Sequence, residues 1–201
     1  MTEKIYPAGR ILSMKKKYNA KQFLKFTEDK AERYELIEGK IYMMASPSVR
    51  HQHISMFIST ALSIYFKGRR CRPFYAPLDV VLFEKEALLF EEKEDKSQNV
   101  FQPDIFVVCD PDKIGENRIN GAPDFVAEIV SQSNSEDDYI KKLGLYMKYG
   151  VREYWIVSPM TKKILVYVKT EQELDINEYT FKDKVKAGIF EDLEIDFNEL
   201  K

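Results

Sequence analysis

Long apolar runs are missing from this sequence. The longest fall well short of the roughly 20 residues that cross a bilayer, which excludes a helical membrane span. The first residues carry Lys4, Arg10 and Lys15-Lys16-Lys17 with no apolar core between them, so they do not read as a secretory signal. Both absences predict a cytoplasmic protein with no membrane partner. Cysteine is scarce: Cys71 and Cys109 are too few for a disulfide framework and are not spaced as a metal clip. They are expected to be reduced thiols without a chemical role. There is no internal repeat and no low-complexity tract. Several catalytic signatures are also missing: no His-Glu-x-x-His zinc helix, no Gly-rich phosphate loop, no Gly-x-Ser-x-Gly elbow and no Cys-x-x-Cys. Zinc proteolysis, nucleotide hydrolysis, serine hydrolysis and dithiol redox chemistry therefore lack their minimum parts.

What is present suits an ordinary globular chain. The 201 residues, 44% hydrophobic and 32% charged, are enough for one substantial core. The formal net charge of −2 does not describe a strongly basic nucleic-acid binder, but the charges are unevenly laid out. Lysines 15, 16, 17, 21, 25 and 30, then Lys67, Arg69, Arg70 and Arg72, precede acidic stretches at 84–95 and after Glu171. Two readings stay open: solvated surface cations, or a basic face on which Lys67, Arg69 and Arg70 would contact nucleic acid.

Asn19 through Phe26 has the pattern of a short amphipathic helix, and Tyr34 to Met44 alternates around Glu38-Gly39 as a β-hairpin. Ile54, Phe57, Ile58, Ala61, Leu62 and Tyr65 recur with a helical period across 51–66. Three apolar runs, Phe74 to Phe83, Gln102 to Cys109 and Asp124 to Val130, read as strands. The segments 84–99 and 110–121 read as loops, with Leu88-Leu89-Phe90 as an apolar anchor in the first. Asn134 or Ser135 followed by Glu136-Asp137-Asp138 predicts a helix N-terminus, with Gly150 ending that helix. Glu153 to Val157 and Lys163 to Val168 predict two further strands. The fold class is α/β, a mixed sheet flanked by helices.

Each of the three strand runs holds one carboxylate: Asp79, Asp104 and Glu128. A buried, unpaired carboxylate costs several kcal/mol, so each marks a cation, a salt bridge or a raised pKa. Any one alone is satisfied by a strand-end cap or solvent contact; three together suggest a shared divalent cation, and oxygen ligands are what Mg²⁺ prefers. On the following helix, Tyr139, Leu143 and Tyr146 form an inward stripe with Lys142 at its edge and Lys141 turned away. Asp138, one turn before Lys142, can orient its ammonium; a plain surface ion pair is the other reading.

The order Gln-Pro-Asp104, Ala-Pro-Asp-Phe-Val-Ala-Glu128-Ile-Val-Ser, Asp138, Lys142, Tyr146, Gly150-Val and Glu153-Tyr-Trp-Ile-Val-Ser-Pro resembles the Uma-two family, a branch of the PD-(D/E)XK nuclease superfamily. The resemblance runs from about Tyr34 to Val168 and continues weakly to Asp196. It implies a restriction-endonuclease-like fold with an N-terminal β-hairpin, a helical extension over 1–33 and a nuclease-like domain over 34–201. It implies a Mg²⁺- or Mn²⁺-dependent endonuclease on nucleic acid, DNA first, with Asp104 and Glu128 as metal ligands. The lysine usual two residues after the second acid is replaced by Val130, and Lys142 takes its place. Asp79 resembles a further metal-binding acid, Glu35 and Glu38 additional acidic positions of which either one could face the site, and His51 a position commonly histidine with a structural or phosphate-contacting role. Many nucleases of this fold act as homodimers. A non-catalytic binding or scaffold module on the same fold is the alternative.

Overall fold

The computed structural model describes residues 16–83, 96–131 and 136–200, and side chains from 139 onward in the last stretch. Helix α1, Ala20–Thr27, begins at Asn19 because its side chain accepts from Gln22 N while the Gln22 side chain accepts from Asn19 N, satisfying two amide donors that the helix leaves open. Strands β1, Tyr34–Ile37, and β2, Lys40–Met43, pair antiparallel and leave Glu38 and Gly39 at the turn with φ of 49° and 80°. Positive φ at both positions matches the twist of a two-residue hairpin. Helix α2, Val49–Tyr65, is capped by Ser48 and buries Ile54, Ile58 and Leu62 at a spacing of four.

The remaining elements are β3, Arg72–Tyr75; β4, Asp79–Val81; β5, Val100–Phe101; β6, Ile105–Val108; β7, Arg118–Asn120; β8, Phe125–Ile129; α3, Glu136–Tyr149; β9, Glu153–Ser158; β10, Lys163–Lys169; β11, Leu174–Thr180; β12, Lys184–Lys186; and β13, Glu194–Asp196. Six strands form one mixed sheet in the order β11-β10-β9-β8-β6-β3, and five form another in the order β2-β1-β5-β4-β7. Alternation along β8 decides what each face of the larger sheet meets. Phe125, Ala127 and Ile129 face α2 and the β12–β13 ribbon, whereas Val126 shares a second core with Tyr139 and Tyr146 of α3 and with Ile37, Val80, Phe101 and Ile119 of the smaller sheet. The smaller sheet's outer face, Leu36, Val81 and Val100, is covered by Ala20 and Phe23 of α1. Glu128, with the parity of Val126, is thereby turned into the second core.

One predicted strand is two: the run 74–83 covers the end of β3 and all of β4, whereas the run 102–109 holds β6 alone and β5 lies just before it. Strands β3 and β6 belong to the larger sheet, β4 and β5 to the smaller. The crossings fall at the cis Ala76–Pro77 bond and at Pro103, where a proline cannot supply an N–H to either ladder. The link 110–121 contains β7, which pairs parallel with β4 and is too short to show a period. The predicted loop at 84–99 and the helix start at Asn134 or Ser135 lie largely outside the described residues. The predicted end at Gly150 is observed at φ 101°, with Gly150 N and Val151 N both bonded to Tyr146 O. Beyond β10, β11 carries almost no buried side chain, so it has no apolar alternation to read.

The expectation of two reduced thiols is overturned. Antiparallel pairing of Arg72 with Val108 brings the residues just outside it, Cys71 and Cys109, opposite each other, and they form a disulfide. They are 38 apart in sequence, so only the strand register reveals the pairing. Glu153 also has a role that sequence reasoning did not assign. Fully buried at the start of β9, its carboxylate accepts from Trp155 Nε1 at 2.6 Å and from Gly188 N and Ile189 N at 2.9 Å each. Burial raises its pKa and these three bonds work against that rise. Glu153→Ala strands three donors, so a loss of about 3 kcal/mol or more is expected in urea unfolding, at about 1 kcal/mol or more per orphaned donor.

Candidate active site

Strands β6 and β8 pair with Ile105 opposite Ala127. Continuing that register by one residue sets Asp104 opposite Glu128, on one face of the sheet, because directly opposed residues of an antiparallel pair point the same way. Both side chains line one small cavity of about 40 Å³, together with Arg33, Met44 to Pro47, His51, Ile129, Ser131, Tyr139 and Lys142. Asp104 Oδ2 accepts from Ile129 N at 2.9 Å and lies 3.0 Å from His51 Nε2. Glu128 Oε1 accepts from Lys142 Nζ at 3.1 Å and from Tyr146 OH at 3.0 Å. Lys142 also donates to Glu35 Oε1 at 3.0 Å, an oxygen that accepts from Gln102 N as well.

Lys142 and Tyr146 are one turn apart on α3, so the same helix face delivers both donors to Glu128. The next residue back, Lys141, is turned to the surface, where it pairs with Glu38 at 3.0 Å. The hairpin is thus joined to α3 at two points, one buried through Glu35 and one half-exposed through Glu38. Glu35 has the parity of Ile37 and faces inward, which decides between the two hairpin acids.

Glu35, Glu128 and Lys142 are all buried. Burial opposes the charge on Lys142, but Glu128 and Glu35 outweigh it and hold the ammonium protonated, with its pKa raised. Burial also pushes Glu128 up to about 7; Lys142 pulls it down, while Asp104 and Glu35 add repulsion. One ammonium therefore serves two buried carboxylates, with a third close by. For His51, burial disfavours the charged ring, yet the contact with Asp104 prevails and its pKa is raised. His51 Nδ1 is buried without a hydrogen-bond partner among the described residues.

Of the residues singled out from sequence, the structure gathers Asp104, Glu128, Lys142, His51 and Glu35. Asp79 is elsewhere. It shares the parity of Val81, lines a different surface depression with Leu24, Lys25 and Arg118, and reaches the site only through Gln102 Nε2 at 2.9 Å. Lys67, Arg69 and Arg70 follow the far end of α2, which lies about 21 Å from His51 at 1.5 Å per residue. Arg69 lies over the Tyr65 ring and donates to its hydroxyl. The Asp138 side chain lies outside the described residues. Sequence reasoning missed Gln102, Tyr146 and Arg33. Tyr146 stands four residues after Lys142, a spacing that signals a shared face; Arg33 stands two before Glu35.

The carboxylates leave capacity for a cation. Asp104 Oδ1 and Glu128 Oε2 take no hydrogen bond from the described residues, and both groups border the cavity. No cluster of three or more His, Cys, Asp or Glu side chains suited to a metal occurs among the described residues. Two carboxylates with water filling the other positions is nevertheless the ligand set that Mg²⁺ commonly takes, so the residues fit a hard divalent ion.

An uncharacterized protein of Synechocystis, slr1290, is 26% identical over 156 residues, covering 77% of this chain and 76% of its own. A second from the same organism, sll1609, is 23% identical over 162 residues, covering 79% and 85%. The crystal structure of a putative nuclease belonging to DUF820 from Anabaena variabilis superposes with a TM-score of 0.65 at 22% identity, over 85% of this chain and 89% of that one. At that identity the match establishes the shared fold. Residues 20–198 match the family Uma2, described as "Putative restriction endonuclease". With nearly the whole chain matched and the fold shared, the protein belongs to the Uma2 family of restriction-endonuclease-like proteins.

Proposed function

We propose that this protein is a divalent-metal-dependent endonuclease that hydrolyses phosphodiester bonds in nucleic acid, with DNA as the substrate to test first. The observation that carries this reading is the convergence of Asp104 and Glu128, from neighbouring antiparallel strands, on one cavity beside Lys142. Asp104 and Glu128 would hold Mg²⁺ or Mn²⁺ through the oxygens that no described residue occupies. When bound, such an ion polarises a phosphodiester, lowers the pKa of a water and offsets charge on the leaving oxygen. Lys142, kept protonated by its carboxylates, would stabilise negative charge gathering on the phosphorus oxygens. His51 and Ile129 N fix Asp104 through Oδ2, so that Oδ1 is the oxygen left for a ligand. Tyr146 does the same for Glu128 by occupying Oε1.

A non-catalytic binding module is favoured by one observation: Lys142 already offsets the charge of Glu128. The two readings separate in one experiment. Duplex, single-stranded and branched DNA and RNA are incubated with Mg²⁺ or Mn²⁺ beside Asp104→Ala. A metal-dependent activity that falls by at least about 10³-fold in the variant is expected, since metal and electrostatic contributions of several kcal/mol are lost. Cleavage undiminished in the variant defeats the site. Binding of Mn²⁺ is read separately as a rise in melting temperature, worth about 2.7 kcal/mol at 100 times Kd. No shift in the wild-type protein would favour the binding module.

A further inference from the structure

Arg33 is a cation on the cavity wall that the ion pairs leave unused. It stands immediately before β1, where its carbonyl accepts from Met44 N, and the two-residue period of the strand turns its side chain to the same side as Glu35. Its Nε donates to Gln102 Oε1 at 2.9 Å. Gln102 is itself held, through its backbone N–H on Glu35 and its side-chain amide on Asp79. The guanidinium is thereby anchored by one nitrogen. Its Nη2 is buried and meets no acceptor among the described residues.

A buried donor left without an acceptor is costly, and a guanidinium is built to offer two parallel N–H groups to a phosphate or carboxylate. Asp104, Glu128 and Arg33 border the same cavity, yet neither carboxylate pairs with Arg33; both take their hydrogen bonds from His51, Ile129, Lys142 and Tyr146. The cavity is thus bordered by carboxylates suited to a cation and by Arg33, whose guanidinium has an N–H with no acceptor among the described residues and so suits an anion. A phosphate group accompanied by a divalent ion has both complements.

We propose that Arg33 is the phosphate-binding arm of this cavity, its Nη2 donating to a non-bridging phosphate oxygen of a group seated beside Asp104 and Glu128. The assignment of that phosphate to a nucleic-acid backbone rests on the nuclease reading; the anion contact does not. Gln102 acts as the positioning residue, because it fixes Arg33 and Glu35 from one side chain and one backbone amide.

The test uses the full chain and two readouts. In metal-free buffer, inorganic phosphate is titrated while the melting temperature is followed. Arg33→Gln is expected to weaken the phosphate response by about 10- to 100-fold, the span for one hydrogen bond to a charged group. In Mn²⁺, the variant should keep the wild-type metal-induced melting shift, because Asp104 and Glu128 are intact, while kcat/KM on DNA falls by a similar factor. A phosphate response equal in wild type and variant overturns the proposal, as does a wild-type protein with no phosphate response. If the wild type binds phosphate through Arg33 but cleaves nothing, the nuclease reading fails and the anion site stands. Should Arg33→Gln not fold, Arg33→Lys replaces it. An ammonium cannot keep the Gln102 contact and offer a guanidinium edge, so a phosphate response at least about fivefold weaker is expected, and an unchanged response refutes the assignment.

Discussion

Lys142→Met is expected to destabilise the protein by about 3–5 kcal/mol, the cost of leaving buried carboxylates without their cation. Lys142 is shared by Glu35 and Glu128, both buried, at 3.0 and 3.1 Å. A surface pair would be worth under about 1 kcal/mol, and the half-exposed Lys141–Glu38 pair is the internal comparison. Lys141→Met should therefore shift the urea midpoint little. The cause can be separated from lost packing by adding Glu35→Gln and Glu128→Gln to Lys142→Met. Removing the orphaned charges is expected to restore most of the stability while leaving the protein without catalytic activity. If Lys142→Met alone melts as the wild type does, the ion-pair cluster is not what joins the hairpin to α3. The same variant should also lose activity in any fraction that stays folded, because no other ammonium lies on the cavity wall among the described residues.

Glu128→Gln should act in the opposite direction on stability and in the same direction on activity. The amide keeps an oxygen for Tyr146 and removes a buried charge, and Lys142 retains Glu35 as its partner. Stability without metal should be unchanged or slightly higher, whereas cleavage should fall by about 10³-fold or more and the Mn²⁺-induced melting shift should vanish. A pH series adds a signature. In the fold the Glu128 carboxyl is pushed up to about 7 from its ordinary value of 4.5. Between these values the unfolded chain has released this proton and the folded chain still holds it, so without metal the contribution of Glu128 to stability declines as pH rises from about 4.5 to about 7 and is level above. Glu128→Gln removes that decline. A stability profile with the same slope in both proteins would show that the buried carboxyl titrates normally.

Local sequence was sufficient wherever one element's own pattern decides its conformation. The amphipathic pattern from Asn19 to Phe26, the turn at Glu38-Gly39, the apolar stripe of α2 and the stop at Gly150 each depend on a short stretch of chain, because their periods, hydrogen bonds and φ angles are local. The two central acids were legible for a related reason: a carboxylate within an apolar strand announces an unmet charge before its partner is known. The 3.6-residue period separated Lys142 from Lys141, and the family resemblance made Lys142 the site lysine.

Other features needed partners distant in sequence. Pro77 splits one apolar run between two sheets and Pro103 separates β5 from β6, and no periodicity in the sequence says which sheet each strand joins. Parity on β4 turns Asp79 toward α1, although its sequence setting looks the same as that of Asp104. Cys71 meets Cys109 only because β3 and β6 pair in one register, and Glu35 rather than Glu38 reaches Lys142 only because β1 turns alternate residues inward. Sequence by itself determined the hairpin, the helices, the central strands β6, β8, β9 and β10, and the acids that needed a counter-charge. Tertiary structure alone decided which charges share a cavity, because burial and pairing depend on strand register and sheet face, and a shift of one residue reverses both.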